Sequence, residues 1–100
     1  MRIIKTENGN SLCLALEGRL DTTTAPELEV TIRGSVNGIR ELIIDMEALD
    51  YLSSAGLRVL LGAQRIMNKQ GVMRVIHVNE TIMEIFEVTG FVDILNIEKK

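Results

Sequence analysis

Six consecutive residues near the middle of the chain, Glu41-Leu42-Ile43-Ile44-Asp45-Met46, hold an apolar triplet with no polar alternation. Successive side chains of a strand point to opposite faces, so a strand with one wet face alternates. A run that is apolar at both parities fits a central strand covered on both sides. The chain is 100 residues long, the size of one domain, and residues 1–100 are expected to form a single unit.

The flanking elements follow from period and punctuation. Residues 2 to 7 and 11 to 17 are short apolar runs joined by Asn8-Gly9-Asn10, a hairpin signal because Asn and Gly tolerate positive φ. In the second run Leu12, Leu14 and Leu16 share the face expected to meet the core. Gly18-Arg19-Leu20-Asp21 ends that strand. Thr24 and Glu27, spaced as a capping box with Pro26 in the first turn, then predict a helix to about Val36, where Asn37-Gly38 stops it. After the central strand, Glu47 to Leu52 reads as a loop. The longest helix follows, on Leu57, Leu60, Leu61 and Met67, with Gly71 as its stop. Val72 to Val78 is a further strand. Asn79 is placed to cap a helix over Glu80 to Val88, Gly90 ends it, and Val92 to Ile97 reads as a last strand. The order strand, strand, helix, strand, helix, strand, helix, strand predicts an α/β domain with a mixed, mostly parallel sheet and an N-terminal antiparallel hairpin. There is no linker, repeat or low-complexity segment.

Composition then limits function. With 46% hydrophobic and 25% charged residues the chain can build a core. Fourteen acidic and eleven basic residues give a net charge of -3, the wrong sign for holding nucleic acid or an anionic membrane by bulk electrostatics, and neither is expected as a partner. The lone Cys13 and lone His77 cannot assemble a zinc site or an internal disulfide, a usage that suits the reducing cytosol. No apolar run approaches the length of a membrane span and the N-terminus lacks a signal-peptide stretch, so a cytoplasmic location is expected.

Enzymatic chemistry is poorly supplied. His77 lies between apolar neighbours in mid-strand, and Cys13, beside Leu12 and Leu14, reads as a small hydrophobe. No phosphate-binding glycine motif occurs, and Asp45 with Glu47 reads as a solvated or capping pair rather than a metal site. Met46, Met67, Met73 and Met83 fall inside core elements. No catalytic residue, metal or cofactor is expected.

What remains is Asp50-Tyr51-Leu52-Ser53-Ser54-Ala55-Gly56-Leu57, two hydroxyls at the N-terminus of the longest helix, where free amides and the helix dipole favour negative charge. Two readings stand side by side: Ser53 or Ser54 caps the helix, worth about 1 kcal/mol, or one of them is a phosphorylation site that the small Ala55 and Gly56 leave open to another protein.

At this segment the chain resembles the STAS domain family, and within it the small bacterial anti-sigma factor antagonists. The resemblance covers nearly the whole chain. It rests on Gly18-Arg19-Leu20-Asp21, on Leu42-Ile43-Ile44-Asp45-Met46, on Tyr51-Leu52-Ser53-Ser54-Ala55-Gly56-Leu57 and on Ile85-Phe86-Glu87-Val88-Thr89-Gly90-Phe91, in that order. It implies a switch protein that is a substrate rather than an enzyme. In that family the unphosphorylated antagonist binds an anti-sigma factor that is also a serine kinase and so frees the sigma factor. Phosphorylation of one serine breaks the complex, and a serine phosphatase restores it. The family motif Asp-Ser-Ser/Thr-Gly places its acceptor two positions before the glycine, which here is Ser54, with Ser53 as the lesser candidate. Ser53 stands where the motif has Asp, and Ala55 where it has a second hydroxyl residue. The resemblance also implies a partner surface of Asp21, Thr22, Tyr51, Leu52, Ser53, Ser54, Ala55, Gly56 and Arg58. The family often carries a further C-terminal helix, so a sheet edge or apolar patch left uncovered here would favour a dimer or a larger assembly; the expected state is a monomer or weak homodimer. The alternative from another class is a non-switching STAS module serving as a subunit of a transport or signalling complex, in which Ser54 only caps its helix. A third, a small hydrolase using Ser54, needs His77 or a carboxylate within hydrogen-bond reach of its hydroxyl.

Overall fold

The computed structural model describes residues 1–100, with strands β1 (Arg2–Asn8), β2 (Ser11–Leu20), β3 (Glu41–Leu52), β4 (Val72–Val78) and β5 (Ile97–Lys99) and helices α1 (Ala25–Ser35), α2 (Ser54–Asn68) and α3 (Glu80–Thr89). The five strands form one sheet in sequential order, with β1 antiparallel to β2 and every later pairing parallel. This is the expected α/β architecture and hairpin opening. No helix is long and apolar enough to cross a membrane.

The hairpin closes over two residues, Gly9 and Asn10, between the paired Asn8 and Ser11. Gly9 takes φ 64° and Asn10 stays at negative φ, so the glycine alone supplies the left-handed step, at the first loop position as in a type II′ turn.

The core lies between the sheet and one layer of helices. Leu12, Leu14 and Leu16 of β2 are fully buried, as are Leu42, Ile44 and Met46 of β3 and Val75 of β4. Against them pack Leu28 and Ile32 of α1, Leu60 and Met67 of α2, and Ile82 and Phe86 of α3. The alternate residues Cys13, Ala15, Ile43 and Asp45 are only half-buried. The central strand is therefore covered on one face rather than two. Its unbroken apolar run misleads because Cys13, Ala15 and Ile43 build a mildly apolar second face that no helix covers.

Two segments depart from expectation. Glu47 to Leu52 continues β3 instead of forming a loop: Ala48, Leu49, Tyr51 and Leu52 pair with Glu17, Gly18, Arg19 and Leu20. Register shifts between Ala15 and Glu17 and between Gly18 and Arg19 change the local period, so that Leu49 and Leu52, three apart, are the buried residues of this stretch. At the other end, Phe91–Asp93 forms a short 3₁₀ turn and only Ile97–Lys99 is strand, whereas Val92 to Ile97 reads as one. The amides of Ile94 and Leu95 both donate to the Phe91 carbonyl, which curls the chain and buries Leu95.

The helix ends show which caps the sequence spelled correctly. Asn79 Oδ1 accepts from the amide of Ile82 at 2.9 Å and Gly90 ends α3 with φ 79°, both as read. The Thr24–Glu27 box does not form. Thr24 sits at φ -97°, ψ -20°, already helical, whereas a capping side chain needs extended backbone. Its hydroxyl donates to the Arg19 carbonyl at 2.7 Å and accepts from the Asp21 amide at 2.9 Å. Asp21 takes over the entry to α1, its Oδ1 accepting from the amides of Thr23 (3.0 Å) and Thr24 (3.1 Å).

Candidate functional site

The ends of β2 and β3 lie side by side, with Arg19 opposite Tyr51 and Leu20 opposite Leu52, and the chain leaves both strands in the same direction. From β2 it enters the Asp21 loop, and from β3 it enters α2. The amide of Ser53 donates to the Leu20 carbonyl at 2.9 Å, which ties the two exits together. Ser54, the first residue of α2, is exposed, and its side chain makes no hydrogen bond.

Ser53 has the extended backbone of an N-cap, φ -101°, ψ 174°, yet its side chain accepts nothing from the helix. Its hydroxyl oxygen is sealed from solvent without a partner. The amides of Ser54, Ala55 and Gly56 likewise find no acceptor, the first helical bond being from Leu57 N to Ser53 O at 3.0 Å. The first turn of α2 has no acidic residue, unlike those of α1 (Glu27) and α3 (Glu80). Three free donors, a dipole end and no resident carboxylate make this terminus receptive to an anion. Of the two hydroxyls, only that of Ser54 is open to a visiting enzyme.

Around Ser54 the expected residues divide by depth. Asp21 is half-buried at the rim and Thr22 exposed. Tyr51 is 40% exposed, and Arg58 is exposed one turn into α2. Leu52 and Gly56 are buried. A Cβ built on Gly56 would come within 2.7 Å of both Leu20 Cγ and Leu52 Cδ1. The glycine therefore lets α2 sit close on the strand ends, a packing role in place of the open approach expected for it. Thr22, Ala25 and Glu29 of the α1 side and Ala55, Arg58 and Val59 of α2 wall a shallow groove of about 240 Å³ next to Ser54.

Arg19 is the residue that sequence reasoning missed. Its guanidinium carbon stands 4.1 Å from the centroid of the Tyr51 ring, and its Nε is 3.5 Å from Asp21 Oδ2. The amide of Thr24 holds the Asp21 carboxyl below the usual carboxylate range, aided by the Thr23 amide, the Thr24 hydroxyl and the Arg19 charge. A signal was available in Gly18-Arg19-Leu20-Asp21: on an extended chain Arg and Asp two apart lie on one face.

His77 is not near this hydroxyl. It takes φ 59° at a register break in β4 and bonds through Nδ1 to Asp45 Oδ1 at 2.8 Å. Asp45 lies seven residues before Leu52 along β3, roughly 20 Å of extended strand. Ser54 has no base within hydrogen-bond reach, so the hydrolase arrangement is not formed. Asp45 Oδ1 also accepts from the Glu47 amide at 3.0 Å, which gives that acid its structural duty, and no cluster of three or more His, Cys, Asp or Glu residues is arranged to hold a metal.

A profile of the STAS domain matches residues 2–100. The chain belongs to the STAS domain family. Among curated relatives this STAS domain is 32% identical over 99 residues to BtrV of Bordetella bronchiseptica, named as an anti-sigma factor antagonist, covering 97% of this chain and 85% of the relative. Among solved structures, an anti-sigma factor antagonist from Mycobacterium paratuberculosis superposes with a TM-score of 0.89 at 22% identity, over 99% of this chain and 86% of that one. The Bacillus cell fate determinant SpoIIAA in its phosphorylated form superposes with a TM-score of 0.76 at 17% identity, over 96% and 90% of the two chains. At such identities the two superpositions establish a common fold.

Proposed function

We propose that this STAS domain is an anti-sigma factor antagonist that works by partner switching in the cytoplasm, as a monomer or weak homodimer. Unphosphorylated, it binds an anti-sigma factor that is a serine kinase, through the rim around Ser54, and the sigma factor is released. The kinase then transfers phosphate to Ser54. The Ser54 oxygen bonds to the γ-phosphorus of ATP, the bond to ADP breaks, and the hydroxyl proton passes to the kinase. A serine phosphatase reverses the change. The domain is substrate and ligand in this cycle, with no catalytic step of its own.

The observation that carries this reading is the exposure of the Ser54 hydroxyl at an uncapped helix N-terminus, beside a Ser53 hydroxyl that is sealed off. Phosphorylation adds about 1.5 to 2 negative charges and three acceptor oxygens, and an interface shaped for a hydroxyl must desolvate or repel them. A penalty of about 3 kcal/mol weakens binding more than a hundredfold. No change of fold is required.

The test incubates the protein with the anti-sigma kinases of its host and ATP, maps the phosphate by mass spectrometry, and measures binding of Ser54→Ala and Ser54→Asp. Phosphate on Ser54, an Ala variant that ATP no longer dissociates and an Asp variant that binds poorly are the expected results. Binding indifferent to both substitutions would instead assign a non-switching structural subunit.

A further inference from the structure

Resting on Ser54 as the phosphate acceptor, we propose that Arg58 closes on that phosphate once it is installed, so that phosphorylation both adds charge and withdraws a docking cation from the partner surface.

Ser54 and Arg58 lie four apart in α2, which puts their Cβ atoms about 5–6 Å from each other on one face. Helical side chains lean toward the N-terminus, so the long Arg58 side chain extends over the turn that begins at Ser54. An anion at the first position and a cation four residues on is also the favoured polarity for such a pair.

Arg58 is free to do this. It is exposed and takes part in no ion pair or hydrogen bond, whereas Arg2, Arg19, Arg33 and Arg74 each hold a carboxylate. Arg65 is also free, but it lies in the last turn of α2, where a cation suits the dipole. Arg58, near the opposite end, meets that dipole unfavourably, with no acidic side chain in the first turn to offset it. Glu29, the carboxylate that shares the groove with Arg58, is held by Arg33 at 3.4 Å. The site thus holds an unpaired cation and free amides, and a phosphate on Ser54 answers both. The guanidinium fork matches two phosphate oxygens at once, which a lysine cannot do.

In the unphosphorylated domain Arg58 therefore projects from the groove wall toward an incoming protein. In the phosphorylated domain it is occupied. The switch would gain from both changes.

The test installs phosphoserine at position 54 during translation, so it does not depend on any kinase, and follows the phosphate by ³¹P NMR titration in the otherwise unaltered chain, in Arg58→Gln and in Arg58→Lys. The second ionisation, near 6 for an unperturbed phosphoserine, is expected about half a unit lower with Arg58 in place than in the Arg58→Gln variant. The difference should shrink at about 1 M salt, with the lysine variant in between. Superimposed titration curves for the unsubstituted chain and the Arg58→Gln variant would overturn the clamp. A shifted curve together with a chain that no host kinase labels would overturn the proposed function and leave the clamp standing.

Discussion

Ser53 donates its amide to the Leu20 carbonyl across 2.9 Å, so the loop that starts at Asp21 and the helix that starts at Ser54 move as one piece. The same strand ends carry the Asp21 turn, the Arg19–Tyr51 stack paired to it through Arg19, and the seat of Gly56, where α2 rests on Leu20 and Leu52.

Replacing Gly56 by Ala tests the closeness of that contact. The added methyl would lie 2.7 Å from Leu20 Cγ and Leu52 Cδ1, both on side chains that are almost wholly buried and cannot swing into water. Overpacking of this kind costs about 1–3 kcal/mol, which for a domain of this size lowers Tm by roughly 5–15 °C. Urea unfolding should show a lower midpoint with an unchanged m-value. An unchanged midpoint would mean that α2 shifts freely on the strand ends.

Asp21 predicts a pH dependence of defined sign. Its carboxyl is held below the ordinary range by the Thr24 amide and its neighbours, so the folded chain binds the proton less readily than the unfolded one. The stabilisation is complete above the unfolded value near 3.9 and is lost as the pH falls through the lower folded value. Wild type should melt above Asp21→Asn by a constant margin from about pH 5 upward, and the two melting curves should converge in more acid solution. A margin that grows with acidity would contradict the assignment.

Much of this neighbourhood was legible in the sequence, and the illegible parts share a cause. Asn79, Gly90 and the leucine face of β2 act locally, through one side chain or one period, and local patterns reveal them. Asp21 displaced Thr24 at the entry to α1 because the choice between two oxygens depends on the backbone angles of Thr24, which spacing does not encode. The second half of β3 was hidden because the register shifts in β2 space Leu49 and Leu52 three apart instead of two. The motif resemblance favours Ser54 over Ser53, but the physical difference between them was not legible in the sequence: both are serines at a helix start, and only the packing of the strand ends seals one and exposes the other.

The stack of Arg19 on Tyr51 should couple the two residues energetically. A cation over an aromatic face at an exposed site is worth about 0.5–1 kcal/mol. A double-mutant cycle on Arg19→Ala, Tyr51→Ala and the pair, read by urea unfolding, should recover a coupling of that size. Asp21→Ala run as a parallel background separates the ring contact from the carboxylate that shares the guanidinium. Additive effects would show that the ring and the guanidinium are only neighbours.

Cys13 offers a probe of the uncovered sheet face. Its thiol is half-buried there, and burial pushes its pKa up, with the negative charge of Asp45 acting in the same direction. Both effects reduce the thiolate fraction, the form that reacts with iodoacetamide, so alkylation at about pH 8 should run slower than for a free thiol and accelerate on unfolding. Removing the charge with Asp45→Asn takes away the smaller of the two causes and should raise the rate modestly, while the larger effect of burial persists. Folded chain that alkylates as fast as an unfolded peptide would show that this face opens far more than its packing implies. A rate indifferent to Asp45→Asn would instead place the thiol beyond the reach of that carboxylate.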